Sequence, residues 1–296
     1  MNIQYGINGH LLDVTAICEK KLLNRNNCII IPSGDVKRAV LFSDPFVGVK
    51  KKIFITTKNG VNEYDDSVTV KIEKSTCHIC VIDENDIYEK ISNLHATLNI
   101  NHGTLNEELP EQRMAVRYLK GNERVLEIGG NIGRNSLIIA SLLENSRNLV
   151  TLESDIRVAE QLKENRNLNG LHFHVECSAL SKRKLMQNGW DTMPGNTLQP
   201  GYSWVNTITY SNLKKKYMLA FDTLILDCEG AFYYILMDMP EVLSGVKLII
   251  MENDYKILDH KHYVDDVLRE NNFRRDYVEQ GGWGHCFDNF FEVWIR

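Results

Sequence analysis

The second half of this chain alternates short apolar runs with glycines and acids. Val125-Leu126-Glu127-Ile128 has the length of a buried strand, carries one acid, and runs into Gly129-Gly130-Asn131-Ile132-Gly133. Leu137, Ile138, Ala140 and Leu142 then recur at helical spacing until Asn145 and Ser146 break the pattern. Leu149-Val150-Thr151-Leu152 is a second apolar strand and stops on Glu153. Strand, glycine turn, helix, strand, acid is the opening unit of a doubly wound parallel sheet. The rhythm continues with a helix over 155–167 and a strand over 171–175. A strand over 221–226 ends in Asp227-Cys228-Glu229-Gly230, and a helix over 232–239 follows it. A strand over 246–251 ends in Glu252-Asn253-Asp254. A helix over 263–270 comes next, then strands over 273–278 and 290–295 that flank Gly281-Gly282-Trp283-Gly284.

Residues 1–84 have a different texture and predict a small mainly-β domain, followed by an α/β domain over 85–296. Asn8-Gly9 and Lys58-Asn59-Gly60 are hairpin turns, residues 13–23 fit one helix, and Val68, Val70 and Ile72 alternate as one face of a strand. Between the two regions, 86–98 and 110–120 read as helices, with Pro110 suited to a first turn. The polar stretch 99–109 connects them and holds His102, whose better reading is a surface histidine. From 182 to 204 the pattern turns irregular, with Trp190, Tyr202 and Trp204 set among glycines and prolines. That stretch is expected to wall a substrate site, since long loops in compact domains are commonly functional.

Charge narrows the ligand. The net charge is -5, and residues 85–296 hold 23 basic against 29 acidic side chains. A nucleic-acid backbone calls for a basic face, so a small or neutral partner fits better. The glycine turn lacks the middle glycine of a dinucleotide fingerprint, where Asn131 stands, and Glu127 precedes it. A carboxylate there repels phosphate and attracts an ammonium or sulfonium. S-adenosylmethionine carries both and no phosphate. Glu127, Gly129, Gly130, Asn131 and Gly133 are therefore the expected cofactor turn. Glu153 is the expected acceptor for the ribose hydroxyls, and Ser178 and Ala179 the contacts of the adenine ring.

No stretch has the length and apolarity of a membrane span and no start resembles a signal peptide, so a cytoplasmic protein is expected. Seven scattered cysteines suit reduced thiols. Cys77-His78-Ile79-Cys80 has the spacing of half a zinc site, but buried strand cysteines are the preferred reading.

Taken together, 125–133, Glu153, Val205-Asn206-Thr207-Ile208-Thr209, Leu226-Asp227-Cys228-Glu229-Gly230 and Ile250-Met251-Glu252 resemble the FkbM family of class I S-adenosylmethionine-dependent methyltransferases, over about residues 105–296. Two features depart from that pattern: Glu127 stands where the family commonly has Asp, and 1–84 lies outside its common core. The resemblance implies a Rossmann-like seven-stranded class I methyltransferase sheet and methyl transfer, typically to oxygen, on a sugar, nucleotide-sugar, glycan or other small molecule. Asp227 is the expected base, with Glu229 beside it; the bland alternative is that both cap the following helix. Asp227, Glu252 and Asn253 also resemble the acid, acid, amide set by which some O-methyltransferases hold Mg²⁺. Residues 1–84 are expected to be accessory or to form a homo-oligomer. The rivals are a catalytically inactive methyltransferase-fold binding or assembly protein and, less favoured, an NAD-linked oxidoreductase.

Overall fold

The computed structural model describes residues 1–23, 27–58, 60–282 and 284–296, so Asn59 of the expected hairpin turn and Trp283 of the glycine-rich stretch lie outside the described residues. The chain divides into two compact units, Met1–Lys90 and Ile91–Arg296.

The first unit holds a four-stranded antiparallel sheet and a three-stranded one. Ile3, Tyr5, Ile29, Ile31, Ile53, Ile55, Val70 and Ile72 form its core, as the period-two alternation requires. The apolar residues 39–42 belong to a helix, Asp35–Phe42, whose Arg38 is buried and donates to the carbonyls of Pro32, Asp65 and Val68. Cys77 and Cys80 correct the expectation of burial, because both are exposed. Cys80 lies on His78–Asp83, an outer strand of the three-stranded sheet, with Sγ 3.3 Å from His78 Nδ1. Among the described residues, no group of three His, Cys, Asp or Glu side chains is arranged to hold a metal, and no helix is long and apolar enough to cross a membrane.

The second unit is a Rossmann-like α/β layer. Its elements in chain order are α1 (Leu109–Tyr118), β1 (Val125–Ile128), α2 (Arg134–Leu142), β2 (Leu149–Leu152), α3 (Ile156–Leu168), β3 (His174–Glu176), α4 (Tyr210–Tyr217), β4 (Thr223–Leu226), α5 (Phe232–Asp238), β5 (Leu248–Glu252), α6 (Leu258–Glu270), β6 (Arg274–Glu279) and β7 (Phe291–Ile295). The sheet order is β3-β2-β1-β4-β5-β7-β6. All neighbours up to β5 pair in parallel, whereas β7 runs antiparallel to both β5 and β6. Every residue of β1, β2 and β4 is buried, as expected for parallel strands covered on both faces. The order reverses between β1 and β4, and that switch point is where open α/β sheets bind ligands.

Two stretches differ from the sequence pattern. The region 182–204, expected to be irregular, contains a three-stranded antiparallel sheet in which Leu185–Asn188 lies between Asp191–Pro194 and Ser203–Val205. Helix α4 was hidden by its polar sequence, Ser211-Asn212 followed by three lysines. Its start is marked by Thr209, whose side chain accepts from the Asn212 N–H at 3.3 Å.

One buried ion cluster ties α6 to β7. Lys261 is 1% exposed and pairs with Asp265 and, at 2.9 Å, with the fully buried Glu292, which also accepts from Arg275 at 2.7 Å and Trp294 Nε1 at 3.0 Å. Burial would raise the Glu292 pKa, but Lys261 and Arg275 outweigh it and leave it lowered. Removing one member of a buried pair strands the other charge at a cost of about 3–5 kcal/mol. Because Arg275 remains, Lys261→Ala is expected to cost about 3 kcal/mol in urea unfolding; an unchanged midpoint would show that the cluster does not hold α6 on the sheet.

Candidate functional site

A cavity of about 1270 Å³ lies at the carboxyl ends of β1, β2, β4 and β5. Its floor is the glycine turn. Gly129 has φ +92°, and a Cβ there would sit 1.6 Å from the Asp227 carbonyl oxygen, so only glycine lets the β1 and β4 exits pass this closely. The N–H groups of Gly129 and Gly130 both donate to the Leu152 carbonyl, at 3.0 and 2.9 Å. The Asn131 N–H reaches Glu153 Oε2 at 2.9 Å, and the Asp155 N–H reaches Oε1 at 2.8 Å. Glu153 is thus held by two backbone donors at the cavity edge, with lone pairs left on each oxygen. Burial nevertheless pushes its pKa up.

Of the residues expected to bind a cofactor, Gly129, Asn131, Glu153, Ser178 and Ala179 line this cavity. Ser178 Oγ donates to Glu176 Oε1 at 3.1 Å, and the Ala179 N–H donates to the Asn206 carbonyl at 2.9 Å. The 205–209 run thereby backs the loop after β3. Three calls need correcting. Gly130 and Gly133 are outside the lining: a Cβ on Gly130 would meet Thr151 Oγ1 at 2.3 Å, and Gly133, at φ +94°, caps α2. They shape the turn without bordering the space.

Glu127 is also outside the lining, 2% exposed, and accepts from Ser136 Oγ at 2.5 Å. Burial drives its pKa up to about 7 against the hydrogen bonds from Ser136 and Thr151. It ties β1 to α2 from beneath the turn.

Asp227 and Glu229 both line the cavity, and neither caps α5, whose N-cap is Ala231 with no side-chain bond. Of the expected metal set, Asp227 and Glu252 line the cavity and Asn253 does not. Asn253 is fully buried and gives its Nδ2 to the Asn289 carbonyl at 2.6 Å, while its Oδ1, the atom that would ligate a metal, has no hydrogen-bond partner. The three residues therefore do not border one space as an acid, acid, amide triad for Mg²⁺ would. His102 is likewise outside the cavity, 2.6 Å from Glu164.

The acids not picked out in the sequence are on α1 and its approach. Glu108 (φ +60°) accepts from Arg134 at 2.9 Å and Asn131 Nδ2 at 3.4 Å, while Arg134 also pairs with Glu107. Glu111, one turn into the helix, is 8% exposed and within hydrogen-bond reach of Glu252. The cluster Glu107-Glu108 and Glu111 around Pro110 was the available signal; a first-turn acid normally reads as helix-dipole compensation.

These acids crowd one another. Burial first, then the negative charges of Glu108, Glu111, Glu229 and Glu127, raises Asp227 well above the carboxylate range. Burial, with Asp227 and Glu111 next, takes Glu252 to about 10, and burial with Asp254 takes Glu229 to about 7. The lining cations are engaged elsewhere: Arg183 grips Asp238 at 2.6 and 2.9 Å, and Lys256 reaches Asp191 at 3.5 Å. At neutral pH Asp227 and Glu252 hold their protons in this surrounding, and a cation entering the cavity favours their ionised forms.

No family model and no curated protein matches this chain. Similar solved structures include the O-methyltransferase from Bacillus cereus in complex with SAH, at 14% identity over 73% of this chain and 92% of that one, TM-score 0.41. The ribosomal protein L11 methylase from Lactobacillus delbrueckii subsp. bulgaricus is similar at 12% identity over 67% and 81%, TM-score 0.41. Aeropyrum pernix fibrillarin in complex with S-adenosyl-L-methionine is similar at 11% identity over 77% and 93%, TM-score 0.39.

Because the folded pKa of Glu127 is raised, its contribution to stability is fully present below the unfolded value of 4.5 and is lost as pH rises through about 7. The loss amounts to about 3 kcal/mol at most. Glu127→Gln should therefore flatten the decline in melting temperature between pH 5 and pH 8; parallel curves for variant and parent would place the titration elsewhere.

Proposed function

We propose that this protein is an S-adenosylmethionine-dependent methyltransferase of FkbM type, acting on a hydroxyl of a small molecule such as a sugar, nucleotide-sugar or glycan. The observation that carries the reading is the cavity at the switch point, where carboxylates face inward and the lining cations are already paired. Asn131 stands in place of the middle glycine of a dinucleotide fingerprint, which disfavours NAD. Glu153 would hold the ribose, the Gly129 turn would carry the adenosine, and Ser178 with Ala179 would border the base.

The bound donor supplies a methyl group already activated by its sulfonium. What remains for the chain is to orient the acceptor oxygen and take its proton. Asp227 sits at the β4 exit with its backbone N–H donating to the Ile128 carbonyl at 3.0 Å, so the base candidate and the glycine turn share one backbone frame. A carboxylate of raised pKa is a stronger proton acceptor once ionised, and positive charge entering the cavity favours the ionised form. Glu229, with φ +50°, is the neighbouring candidate. The small sheet at 185–205, through Leu185, Gln187 and Trp190, gives the acceptor an amphipathic wall. For the unit at 1–90 we propose an accessory or self-association role, supported by Val36, Val40 and Val47, which are exposed on and just after one helix.

Calorimetry should find S-adenosylmethionine binding well above NAD, and tighter binding of NAD would end this reading. Glu153→Ala is expected to weaken the donor by roughly tenfold or more, the worth of a charge-assisted hydrogen bond; unchanged affinity would remove it from the ribose. Asp227→Ala should abolish turnover while leaving donor affinity in place, measured on nucleotide-sugar and glycoside acceptors.

A further inference from the structure

We propose that Glu111, Asp227 and Glu252 form a subsite for a protonated amine carried by the methyl acceptor. The inference rests on the methyl-transfer reading above and adds to it the charge of the substrate. Three elements deliver the three carboxyls to one place: the first turn of α1 brings Glu111, the β4 exit brings Asp227, and the end of β5 brings Glu252.

The independent sign is Glu111. It is more than nine-tenths buried, it borders the cavity, and its Oε2 has no hydrogen-bond donor. A buried carboxylate oxygen without a donor costs one to several kcal/mol, so such a group persists where something else satisfies it. Its carboxyl is within hydrogen-bond reach of its own backbone N–H and of another acid, Glu252, which can only share a proton or a cation with it; the charge of Arg113 acts on it without pairing with it. Among the described residues, neither Glu111, Asp227 nor Glu252 has an ion pair with Lys, Arg or His. By contrast, Glu108 is paired with Arg134 and Asp238 with Arg183.

Glu153, the ribose candidate, stands at the end of β2, whereas Asp227 and Glu252 stand at the ends of β4 and β5, so the nest is a separate part of the cavity wall. An exposed aromatic ring of the same lining, Trp190, adds a face that attracts an alkylammonium. A neutral sugar would leave the nest unsatisfied; an amino sugar or another hydroxyl-bearing amine would fill it.

The test is calorimetric titration of the full chain with n-butylammonium chloride, against 1-butanol, sodium chloride and magnesium chloride at matched ionic strength. It is run with and without saturating S-adenosylhomocysteine. The ammonium should bind roughly tenfold or more tightly than the alcohol, keep binding when the homocysteine is present, and weaken about tenfold in both Glu111→Gln and Glu252→Gln. The wild-type comparison stands even if a variant does not fold. Equal heats for ammonium and sodium would overturn the proposal, as would stronger binding of magnesium or loss of the ammonium signal on saturation, which would assign the nest to the donor. Failure of the homocysteine itself to bind would instead count against the methyltransferase reading, while the ammonium arm run without it still judges the nest.

Discussion

The close passage of Gly129 beneath the Asp227 carbonyl is the constraint on which the site depends. A Cβ at that point would stand 1.6 Å from the oxygen, so the chain leaving β1 and the chain leaving β4 can approach only because one of them has no side chain. That approach opens the sheet at its switch point and brings the acids of three strand ends and one helix to a common space. The same turn presents the Asn131 N–H to Glu153, so the geometry that makes the cavity also orients the acid at its far edge.

Bringing these acids together costs stability, and the cost is visible in the raised pKa values of Asp227, Glu229 and Glu252. Elsewhere in this unit buried charge is compensated, as in the Lys261, Asp265, Glu292 and Arg275 cluster. The contrast separates two uses of ionised side chains. Around Glu292 opposite charges close a structural joint; around Glu111 buried carboxyls crowd one another, and among the described residues none of Glu111, Asp227 and Glu252 pairs with Lys, Arg or His. In the reading proposed above, the positive partner is the sulfonium of the donor or an amine on the acceptor.

Much of the framework could be read in the chain itself. The apolar runs at 125–128 and 149–152, the glycines between them and the acid at 153 are spaced by covalent connectivity alone, so strand, turn and strand-end acid follow from local pattern. The same applies to Asp227 and Glu252, each placed at a strand exit by the run that precedes it. The fine division of the glycine turn was not legible. Whether Glu127 meets the ligand or supports the turn depends on which face of β1 the pleat turns toward Ser136, and a four-residue strand buried on both faces carries no alternation to reveal it. Asn253 escaped for a related reason, since its burial away from the cavity, with its amide nitrogen on the Asn289 carbonyl 36 residues on, is set by long-range packing.

The sequence by itself thus determined the parallel sheet, the position of the glycine turn and the acids at the strand ends, because periodicity and turn chemistry act over a few neighbouring residues. Only the tertiary structure decided which of those acids share a cavity, which stay buried behind it, and that Glu111 joins them from a helix more than a hundred residues before its neighbours on β4 and β5. Electrostatic repulsion and burial are properties of distance in space, and no local pattern in the chain encodes them.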